Sequence, residues 1–282
     1  MIRFGPAGNS EIFFEEGHKS SLEALAWLKK RGLSAYEYPF TRGINMSEEL
    51  AKKLGQAAKE NGIEISVHAP YYINFAGNNP DLLEKSYGYV IKCLHYLKLI
   101  GGKRCVFHPG TCGKMKREDA LKLLRERITE LVKRVRAAGF GDMYICPETM
   151  GKHGQLGTYQ EIAELCAIDE CLLPAVDFGH INAFEGGSLK TEADFKRVVD
   201  EFIAKIGLHR TRKIHIHFSK IEYGGKGEVR HLTFEDKIFG PEFEPLSEVL
   251  KQYNMEPVII CESNGTQAED AMQMKKIYEE LR

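Results

Sequence analysis

Short apolar segments alternate with longer amphipathic segments along the chain, and this alternation limits the folds that the chain can adopt. Each apolar segment has the length of a β-strand, and each amphipathic segment has the spacing and the end residues of an α-helix. The second predicted helix, for example, follows Ser47 as its N-cap, has Glu48 in its first turn and stops before Gly62. The predicted strands are 2–4, 35–38, 63–67, 103–107, 143–146, 172–177, 213–217 and 258–261, and the predicted helices are 20–30, 48–61, 82–99, 118–138, 158–167, 191–206, 243–253 and 266–281.

Eight strand-then-helix units follow one another without a break in composition or a long linker. Strands that alternate with helices form parallel sheets, because each helix carries the chain back to the start of the next strand. Eight such units in one uninterrupted stretch predict an α/β fold, a single (β/α)8 TIM barrel over residues 1–282. The alternative, an open doubly wound sheet, is disfavoured because no G-x-G-x-x-G motif follows the first strand.

Composition and charge exclude several classes of protein. The formal net charge of −1 excludes a nucleic-acid binder that works by bulk electrostatics, so any DNA affinity must come from a local patch. Seven cysteines without a C-x-x-C pair indicate buried free thiols in a reducing compartment and argue against a cysteine zinc site. The chain has no signal-peptide pattern and no apolar run near the ~20 residues of a membrane span. We therefore expect a cytoplasmic, monomeric protein with no membrane partner.

Potential metal ligands follow six consecutive predicted strands, each at the point where the strand ends. In a parallel barrel these ends open on one face, so the side chains converge there. A single histidine in such a place is more often a hydrogen-bonded structural residue, but six ligand types in a row favour a metal site. Imidazole and carboxylate groups bind Zn²⁺, Mn²⁺ or Fe²⁺, and so many ligands suit two or three ions, as in polynuclear phosphoesterases. The strand-end residues are His68, His108, Glu148, Asp177, His215 and Glu262, and the following loops add His180 and His231.

The motifs around these residues resemble those of the endonuclease IV family. Members of that family are trinuclear-zinc AP endonucleases on a (β/α)8 barrel, within the wider xylose-isomerase-like superfamily. The resemblance covers the whole chain in order. It rests on H-A-P-Y-Y-I-N-F-A at 68–76, F-H-P-G at 107–110, P-E-T at 147–149, V-D-F-G-H at 176–180, His215 with Ser219-Lys220, Arg230-His231 and Cys261-Glu262.

The resemblance implies how the metal ligands are shared. A third zinc would bind His180 and His231, and the family completes this position with an aspartate where this chain has Val229. Glu228, one residue earlier, is a candidate replacement. His217 stands where the family tends to have asparagine, and we expect it to support the ligands or to join them. The first zinc would bind His68, His108 and Glu148, and the second would bind Glu148, Asp177, His215 and Glu262, with Glu148 as the bridge.

The resemblance further implies a reaction, the hydrolysis of the DNA phosphodiester bond 5′ of an abasic site by a metal-bridged hydroxide, as in base excision repair. Glu148 and Glu262 would be the catalytic residues, with Glu262 orienting or deprotonating the nucleophile. The partner would be damaged double-stranded DNA whose abasic sugar is flipped into the pocket. The candidate DNA contacts are Tyr71, Tyr72 and Asn74 on the third loop, Arg42 on the second, and Lys220 and Arg230 on the seventh.

Two other interpretations stay open at this point. A sugar isomerase or epimerase of the same superfamily would bind one divalent ion through the strand-end set that includes Glu148 and Glu262, and would not need the other histidines. A barrel that binds DNA or metal without catalysis is supported by Val229 alone. The number of ions bound per chain separates the isomerase from the nuclease.

Overall fold

The computed structural model of the chain describes residues 1–280. Its strands fall into two classes, those of a central barrel and four short strands that lie in the loops. In chain order the strands are β1 (Arg3–Pro6), β2 (Ala35–Pro39), β3 (Glu64–His68), β4 (Arg104–Phe107), β5 (Gly110–Thr111), β6 (Tyr144–Pro147), β7 (Gln155–Leu156), β8 (Ala175–Asp177), β9 (His215–Phe218), β10 (Ile221–Gly224), β11 (Gly227–His231) and β12 (Val258–Cys261).

Eight parallel strands form a closed barrel. β2, β3, β4 and β6 pair in that order, and β8, β9, β12 and β1 pair in that order. Bridges between Ala7 and Glu37 and between Glu148 and Ala175 join the two half-sheets. Across the second seam the amide of Thr149 donates to the carbonyl oxygen of Ala175 at 3.0 Å. The predicted (β/α)8 barrel is confirmed.

Helices cover the outside of the barrel, and several begin at caps that the sequence predicts. Ser47 Oγ accepts a hydrogen bond from the amide of Leu50 at 3.1 Å, which satisfies one of the free amides of the first helical turn. Each predicted helix is present, and the predicted end of the last one at Leu281 lies outside the described residues. In chain order the helices are α1 (Glu11–Glu15), α2 (Ser21–Lys30), α3 (Glu48–Asn61), α4 (Pro80–Ile100), α5 (Arg117–Ala137), α6 (Tyr159–Cys166), α7 (Phe178–Phe184), α8 (Glu192–Thr211), α9 (Glu244–Gln252) and α10 (Gln267–Glu280).

The loops at the C-terminal ends of the barrel strands carry structure of their own. β5 and β7 pair antiparallel, and α7 begins directly after β8. The segment 219–240, for which the sequence predicts no strand or helix, contains an antiparallel hairpin of β10 and β11. The hairpin was missed because its strands are short and polar. The two antiparallel strand pairs and α7 lie at the same end of the barrel as the strand-end residues.

Apolar and polar side chains share the interior of the barrel. Ala35, Val258 and Ile260 form a small apolar cluster, in which Ile260 lies level with His217 of the neighbouring strand. Between the barrel and its helices the buried side chains form one continuous apolar core. No helix among residues 1–280 is long and apolar enough to cross a membrane. Among the buried polar residues on the barrel strands or directly after them are Glu37, Ser66, His68, Glu148, Asp177, His215 and His217.

The seam between β1 and β2 depends on a close backbone approach at Gly5. A Cβ atom at this position would lie 1.8 Å from the carbonyl oxygen of Ala35, an atom of the neighbouring strand that cannot rotate away. We expect Gly5→Ala to lower the free energy of unfolding by about 3 kcal/mol, at the upper end of overpacking costs. Denaturant unfolding followed by circular dichroism measures the change.

A matched control is Gly88→Ala in the middle of α4, where a Cβ atom would meet nothing within 4 Å. This exposed helical position should become more stable by about 0.5–1 kcal/mol, because alanine has the better helix propensity. Equal stability of the two variants would contradict the close approach of the two strand backbones at Gly5.

Candidate metal centre

Three groups of histidine and carboxylate side chains meet at the C-terminal end of the barrel. Within each group the ligand atoms all lie within 4.8 Å of one another, and Glu148 belongs to two of the groups. We call them the first, second and third groups. The first group is His68, His108 and Glu148; the second is Glu148, Asp177, His217 and Glu262; the third is His180, Glu228 and His231.

Glu148 joins the groups through its two carboxylate oxygens. The residue follows β6 and is 1% exposed. Its Oε2 atom lies 3.1 Å from Nε2 of His68 and 3.1 Å from Nε2 of His108. Its Oε1 atom lies 3.0 Å from Nδ1 of His217 and 3.5 Å from Nδ1 of His180. One oxygen therefore faces the first group, and the other faces His217 of the second group and His180 of the third, which is the arrangement of a bridging carboxylate.

Several imidazoles of the site are oriented by a hydrogen bond on Nδ1. Nδ1 of His68 lies 2.8 Å from the carbonyl oxygen of Ala69, and Nδ1 of His180 lies 2.9 Å from that of Thr149. Nδ1 of His231 lies 2.9 Å from the hydroxyl of Ser219. A proton on Nδ1 leaves the lone pair on Nε2 free to face the group, which is the usual support of a metal-binding histidine.

The two oxygens of Asp177 have different surroundings. It caps α7, because its Oδ1 atom accepts a hydrogen bond from the amide of His180 at 2.7 Å. Its Oδ2 atom is buried, lies 3.3 Å from Nδ1 of His180 and has no hydrogen-bond partner within residues 1–280. A buried oxygen without a partner costs free energy unless a positive charge lies against it. With carboxylate oxygens and imidazole nitrogens around it, the second group fits Zn²⁺, Mn²⁺ or Fe²⁺.

The strand register moves one expected ligand. The sequence led us to expect His215 beside Asp177, but β8 and β9 pair with Asp177 opposite His217 and Ala175 opposite His215. His215 therefore lies one layer deeper, about 7 Å along the strand, since two residues rise about 3.3 Å each. There its Nε2 atom is 3.0 Å from Oε2 of Glu37, a residue that the sequence analysis missed. His217, expected in support of the ligands or among them, takes the position in the second group.

A β-bulge brings Glu228 into the third group. In the hairpin, Ile221 pairs with His231 and Tyr223 pairs with Glu228, so the register shifts by one residue at Val229. The extra residue reverses the alternation of side chains, and Glu228 and His231 then point to the same side although they are three residues apart. Oε2 of Glu228 lies 3.4 Å from Nε2 of His180. The bulge thus places a carboxylate where the family's spacing would place an aspartate, and Val229 is 56% exposed.

The hairpin is held against the loop after β6 by a close contact between two glycines. The amide of Glu228 donates to the carbonyl oxygen of Gly151 at 2.9 Å. A Cβ atom at Gly227, which has φ +88°, would lie 2.1 Å from that same oxygen. Glycine is therefore needed at 227, both for the left-handed backbone and for the approach that brings Glu228 next to His180.

Burial and neighbouring charges shift the pKa values of the site. Burial disfavours the charged form of His68, but the hydrogen bond and charge of Glu148 outweigh it and raise the pKa to about 9. The pKa of His180 also rises to about 9, because Asp177 and Glu148 outweigh the effect of burial. Burial would raise the pKa of Glu148, but the surrounding histidines hold it well below its usual value. Burial raises the pKa of Glu262. The carboxylates thus hold positive charge within the site.

The expected DNA contacts divide into exposed and engaged residues. Tyr71 is 62% exposed, Tyr72 packs between Tyr71 and Tyr89, and Arg42 is exposed on its loop. Arg230 is exposed as well, and its Nε atom donates to Oε2 of Glu222 at 2.7 Å. The expectation for Lys220 is corrected, because the residue is 2% exposed. Its Nζ atom donates to the carbonyl oxygen of Asp236 at 2.8 Å and to Oε1 of Glu242 at 2.7 Å.

Asn74, also expected to contact DNA, is tied to its own loop on one side of its amide. Its Oδ1 atom accepts hydrogen bonds from the amides of Ala76, Gly77 and Thr111 at 3.0, 3.0 and 3.3 Å. Through these bonds Asn74 holds the loop that carries the exposed Tyr71. The group of Asn74 that would donate to a phosphate is the Nδ2 amide, so a contact with DNA stays a prediction.

Comparison with known proteins places the chain in a family. The model of the xylose isomerase-like TIM barrel family matches residues 25–280. The chain belongs to this family. An uncharacterized protein of Methanocaldococcus jannaschii is 34% identical over 281 residues, which span 100% of this chain and 98% of that protein. A protein of Staphylococcus carnosus named probable endonuclease 4 is 32% identical over 174 residues, 60% of this chain and 57% of its own length.

Two solved structures illustrate the range of activities on this fold. Endonuclease IV from Thermus thermophilus superposes with a TM-score of 0.69 at 19% identity, covering 98% of this chain and 97% of that one. A D-tagatose 3-epimerase-like protein superposes with a TM-score of 0.74 at 21% identity, covering 99% and 96%. At these identities the likeness establishes the shared barrel and leaves the reaction to be argued from the site.

The bulge at Val229 can be tested by deletion. Removing Val229 restores regular alternation in β11, so Glu228 should turn away from His180 and the third group should lose its carboxylate. We expect the zinc-loaded protein to bind one ion fewer per chain, as measured by elemental analysis after gel filtration. Val229→Thr keeps the bulge and changes only an exposed side chain, so it should bind as many ions as the unaltered protein. Equal metal content in the deletion variant would contradict the role of the bulge.

The protonated histidines also predict how the stability of the metal-free protein depends on pH. His68 and His180 have pKa values of about 9 in place of 6.5. A raised pKa in the folded state stabilises the fold fully below pH 6.5, and this contribution disappears as the pH rises through about 9. The Tm of chelator-treated protein, measured by scanning fluorimetry, should therefore decrease as the pH rises from 6.5 to about 9. The Tm of the zinc-loaded protein should change less over this pH range, because bound metal replaces the protons. A Tm of the treated protein that rises over this range would contradict the protonation.

Proposed function

We propose that this protein is a metal-dependent AP endonuclease that hydrolyses the DNA phosphodiester bond 5′ of an abasic site, as in base excision repair. The observation that carries the proposal is the presence of three adjacent ligand groups, two of which share Glu148, where a one-ion isomerase would need only the second group. Zinc is the proposed metal, in two or three positions, and the same donors also accept Mn²⁺ or Fe²⁺.

The second group supplies the catalytic residues. Bound divalent ions would lower the pKa of water and neutralise the charge that develops on phosphorus oxygens. Glu148 would hold the first two positions at a fixed separation, since its two oxygens face different groups. Glu262 lines the cavity with a side chain that is 17% exposed, and burial raises its pKa. Its carboxylate is therefore suited to take a proton from the attacking water.

The volume of the cavity favours a substrate that places one sugar-phosphate unit inside it. The cavity has a volume of about 210 Å³ and is lined by members of all three groups together with Lys152, Met150 and Gln155. This space suits one sugar-phosphate unit and excludes a stacked base pair, so duplex DNA would present a flipped sugar. Lys152 is 52% exposed and lies 3.7 Å from Glu228, where its ammonium group could contact a phosphate.

Exposed residues on the surrounding loops support a DNA partner. Tyr71, Tyr72, Arg42 and Arg230 lie on the loops that follow the second, third and seventh barrel strands. An aromatic side chain can occupy the gap that a flipped sugar leaves, and arginines can contact the backbone. The relatives named probable endonuclease 4 support the same assignment. The cytoplasmic location and the monomeric state expected from the sequence stay predictions.

A divalent-metal-dependent sugar isomerase or epimerase is the second candidate. It is favoured by one specific observation: the second group, with the glutamates Glu148 and Glu262, is a complete single-ion site by itself. Among the solved structures with the same fold are a D-psicose 3-epimerase and a D-tagatose 3-epimerase-like protein. This candidate predicts one ion per chain, whereas the endonuclease predicts two or three.

The proposal is tested with a duplex that carries one abasic site and is labelled at its 5′ end. Zinc-loaded protein should give a single product cut 5′ of that site. Glu148→Gln removes the bridging charge and should slow incision at least about 100-fold, which is the effect of losing one strong electrostatic contact to a transition state. Glu248→Gln, an exposed glutamate on α9, is the matched control and should cut at the unaltered rate.

The result that would overturn the proposal is an intact abasic duplex after incubation with protein that holds two or three ions. Turnover of a ketohexose by the same preparation would favour the epimerase instead. Tight binding of the abasic duplex without cleavage would favour the binding protein that the sequence left open.

A further inference from the structure

A fourth group of metal-binding side chains shares His217 with the second group. Its other members are Glu37 on β2 and His215 on β9, and the ligand atoms of the three residues lie within 4.8 Å of one another. All three residues are at most 1% exposed. Nε2 of His215 lies 3.0 Å from Oε2 of Glu37, and Nε2 of His217 lies 2.9 Å from Oε1 of Glu37. The proposed function assigns no ion to this group.

The strand pairing explains why these side chains meet inside the barrel. His215 and His217 are two residues apart on β9, so their side chains point to the same face of the sheet. Glu37 is the partner of Ser66 in the pairing of β2 with β3, and the hydroxyl of Ser66 donates to Oε2 of Glu37 at 2.7 Å. The carboxylate is thereby held against both histidines.

The atoms that face one another within the fourth group lack hydrogen bonds. Oε1 of Glu37, Nε2 of His215 and Nε2 of His217 are buried, and each has no hydrogen-bond partner among residues 1–280. Their contacts are therefore close approaches without the geometry of a hydrogen bond. Buried polar atoms are nearly always paired, and leaving them unpaired costs free energy. Three such atoms that converge from two strands indicate a position for a cation between them.

The hydrogen bonds of His217 indicate which of its ring nitrogens is available to an ion. Nδ1 forms a hydrogen bond with Oε1 of Glu148 at 3.0 Å, whereas Nε2 forms none within the part of the chain that the structure describes. A carboxylate accepts hydrogen bonds, so the proton of this bond belongs to Nδ1. The lone pair of the neutral ring is then on Nε2 and faces Glu37. His180 and His231 also have their hydrogen bond on Nδ1.

The charges around His217 favour a cation in this place. Nδ1 of the ring lies 3.0 Å from Oε1 of Glu148 and 3.4 Å from Oε1 of Glu262, and Glu37 faces the other nitrogen. Three carboxylates around one neutral imidazole leave negative charge buried, which is costly without a positive charge beside it. Glu37 also lines the cavity of the metal centre, so an ion can reach the fourth group from there.

We propose that Glu37, His215 and His217 bind a further divalent ion inside the barrel. Its ligands are a carboxylate oxygen of Glu37 and the Nε2 atoms of both histidines. Two imidazoles and one carboxylate are a known set of three protein ligands for zinc, which is therefore the proposed metal. His217 keeps its hydrogen bond to Glu148, and the second group holds its own ion through its three carboxylates. The inference goes beyond the proposed function and does not depend on the reaction.

The position of the ion is tested with crystals of the unaltered protein grown with zinc. Anomalous difference maps recorded on both sides of the zinc absorption edge should show a peak about 2.0–2.1 Å from Nε2 of His215 and from Nε2 of His217, the usual distance between zinc and imidazole. Maps without a peak between these two atoms and Glu37 would overturn the proposal. A zinc ion on Nδ1 of His217 would also overturn it, because the proton would then not be on that nitrogen.

The ion is also counted in solution, by elemental analysis after gel filtration. Glu37→Gln keeps the size of the side chain but removes its charge, and it should lower the zinc content by one ion per chain. Ser66→Ala is the matched control, because it removes the hydroxyl that contacts the same carboxylate but removes no ligand; it should bind as many ions as the unaltered protein. Equal zinc content in Glu37→Gln and the unaltered protein would overturn the proposal.

These outcomes are separate from those of the incision assay. Neither measurement uses DNA, so a protein that leaves abasic duplexes intact can still hold the further ion, and a protein that cuts them can lack it. The ion count that separates the endonuclease from the epimerase is made in Glu37→Gln, where the further position is removed.

Discussion

The carboxylate of Glu148 is the contact on which the rest of the site depends. It is 1% exposed, so its charge needs compensation from within the barrel. His68 and His108 provide this compensation at one oxygen and His217 provides it at the other, within 3.0–3.1 Å. The strand ends are arranged around that carboxylate, and two of the histidines that approach it, His68 and His180, are oriented by a second contact to a backbone carbonyl oxygen.

The hairpin after β9 illustrates how a family pattern can be kept in space while it changes in sequence. Val229 stands where the family has an aspartate, and a reader of the linear motif would conclude that a ligand is missing. The bulge at Val229 moves the carboxylate of Glu228 to the side of His231, and the contact with Gly151 holds it there. A ligand at a changed spacing therefore needs a matching change in the backbone, since strand alternation alone would point it away.

The barrel and the second group are compatible with either of the reactions found on this fold. The features that favour the nuclease come from the loops: His108 and Glu228 complete groups that a single-ion enzyme does not require, and Tyr71 is exposed on the loop after β3. This division is typical of TIM barrels, in which the strands provide a stable frame and the loops at their C-terminal ends select the chemistry. The proposed function therefore depends more on the loops than on the barrel.

The sequence by itself determined the barrel and the strand-end ligands, because both follow from local patterns: the alternation of elements, the caps, and a polar residue directly after an apolar strand. His68, His108, Glu148, Asp177 and Glu262 all lie in the groups where the sequence predicted them. Only the tertiary structure decided that His217 lies at the rim in place of His215, that Glu228 reaches the site, that Glu37 lies next to His215 and His217, and that Lys220 is buried. The physical reason is that each of these depends on how one strand is aligned with another, and that alignment is not encoded in the spacing along a single segment.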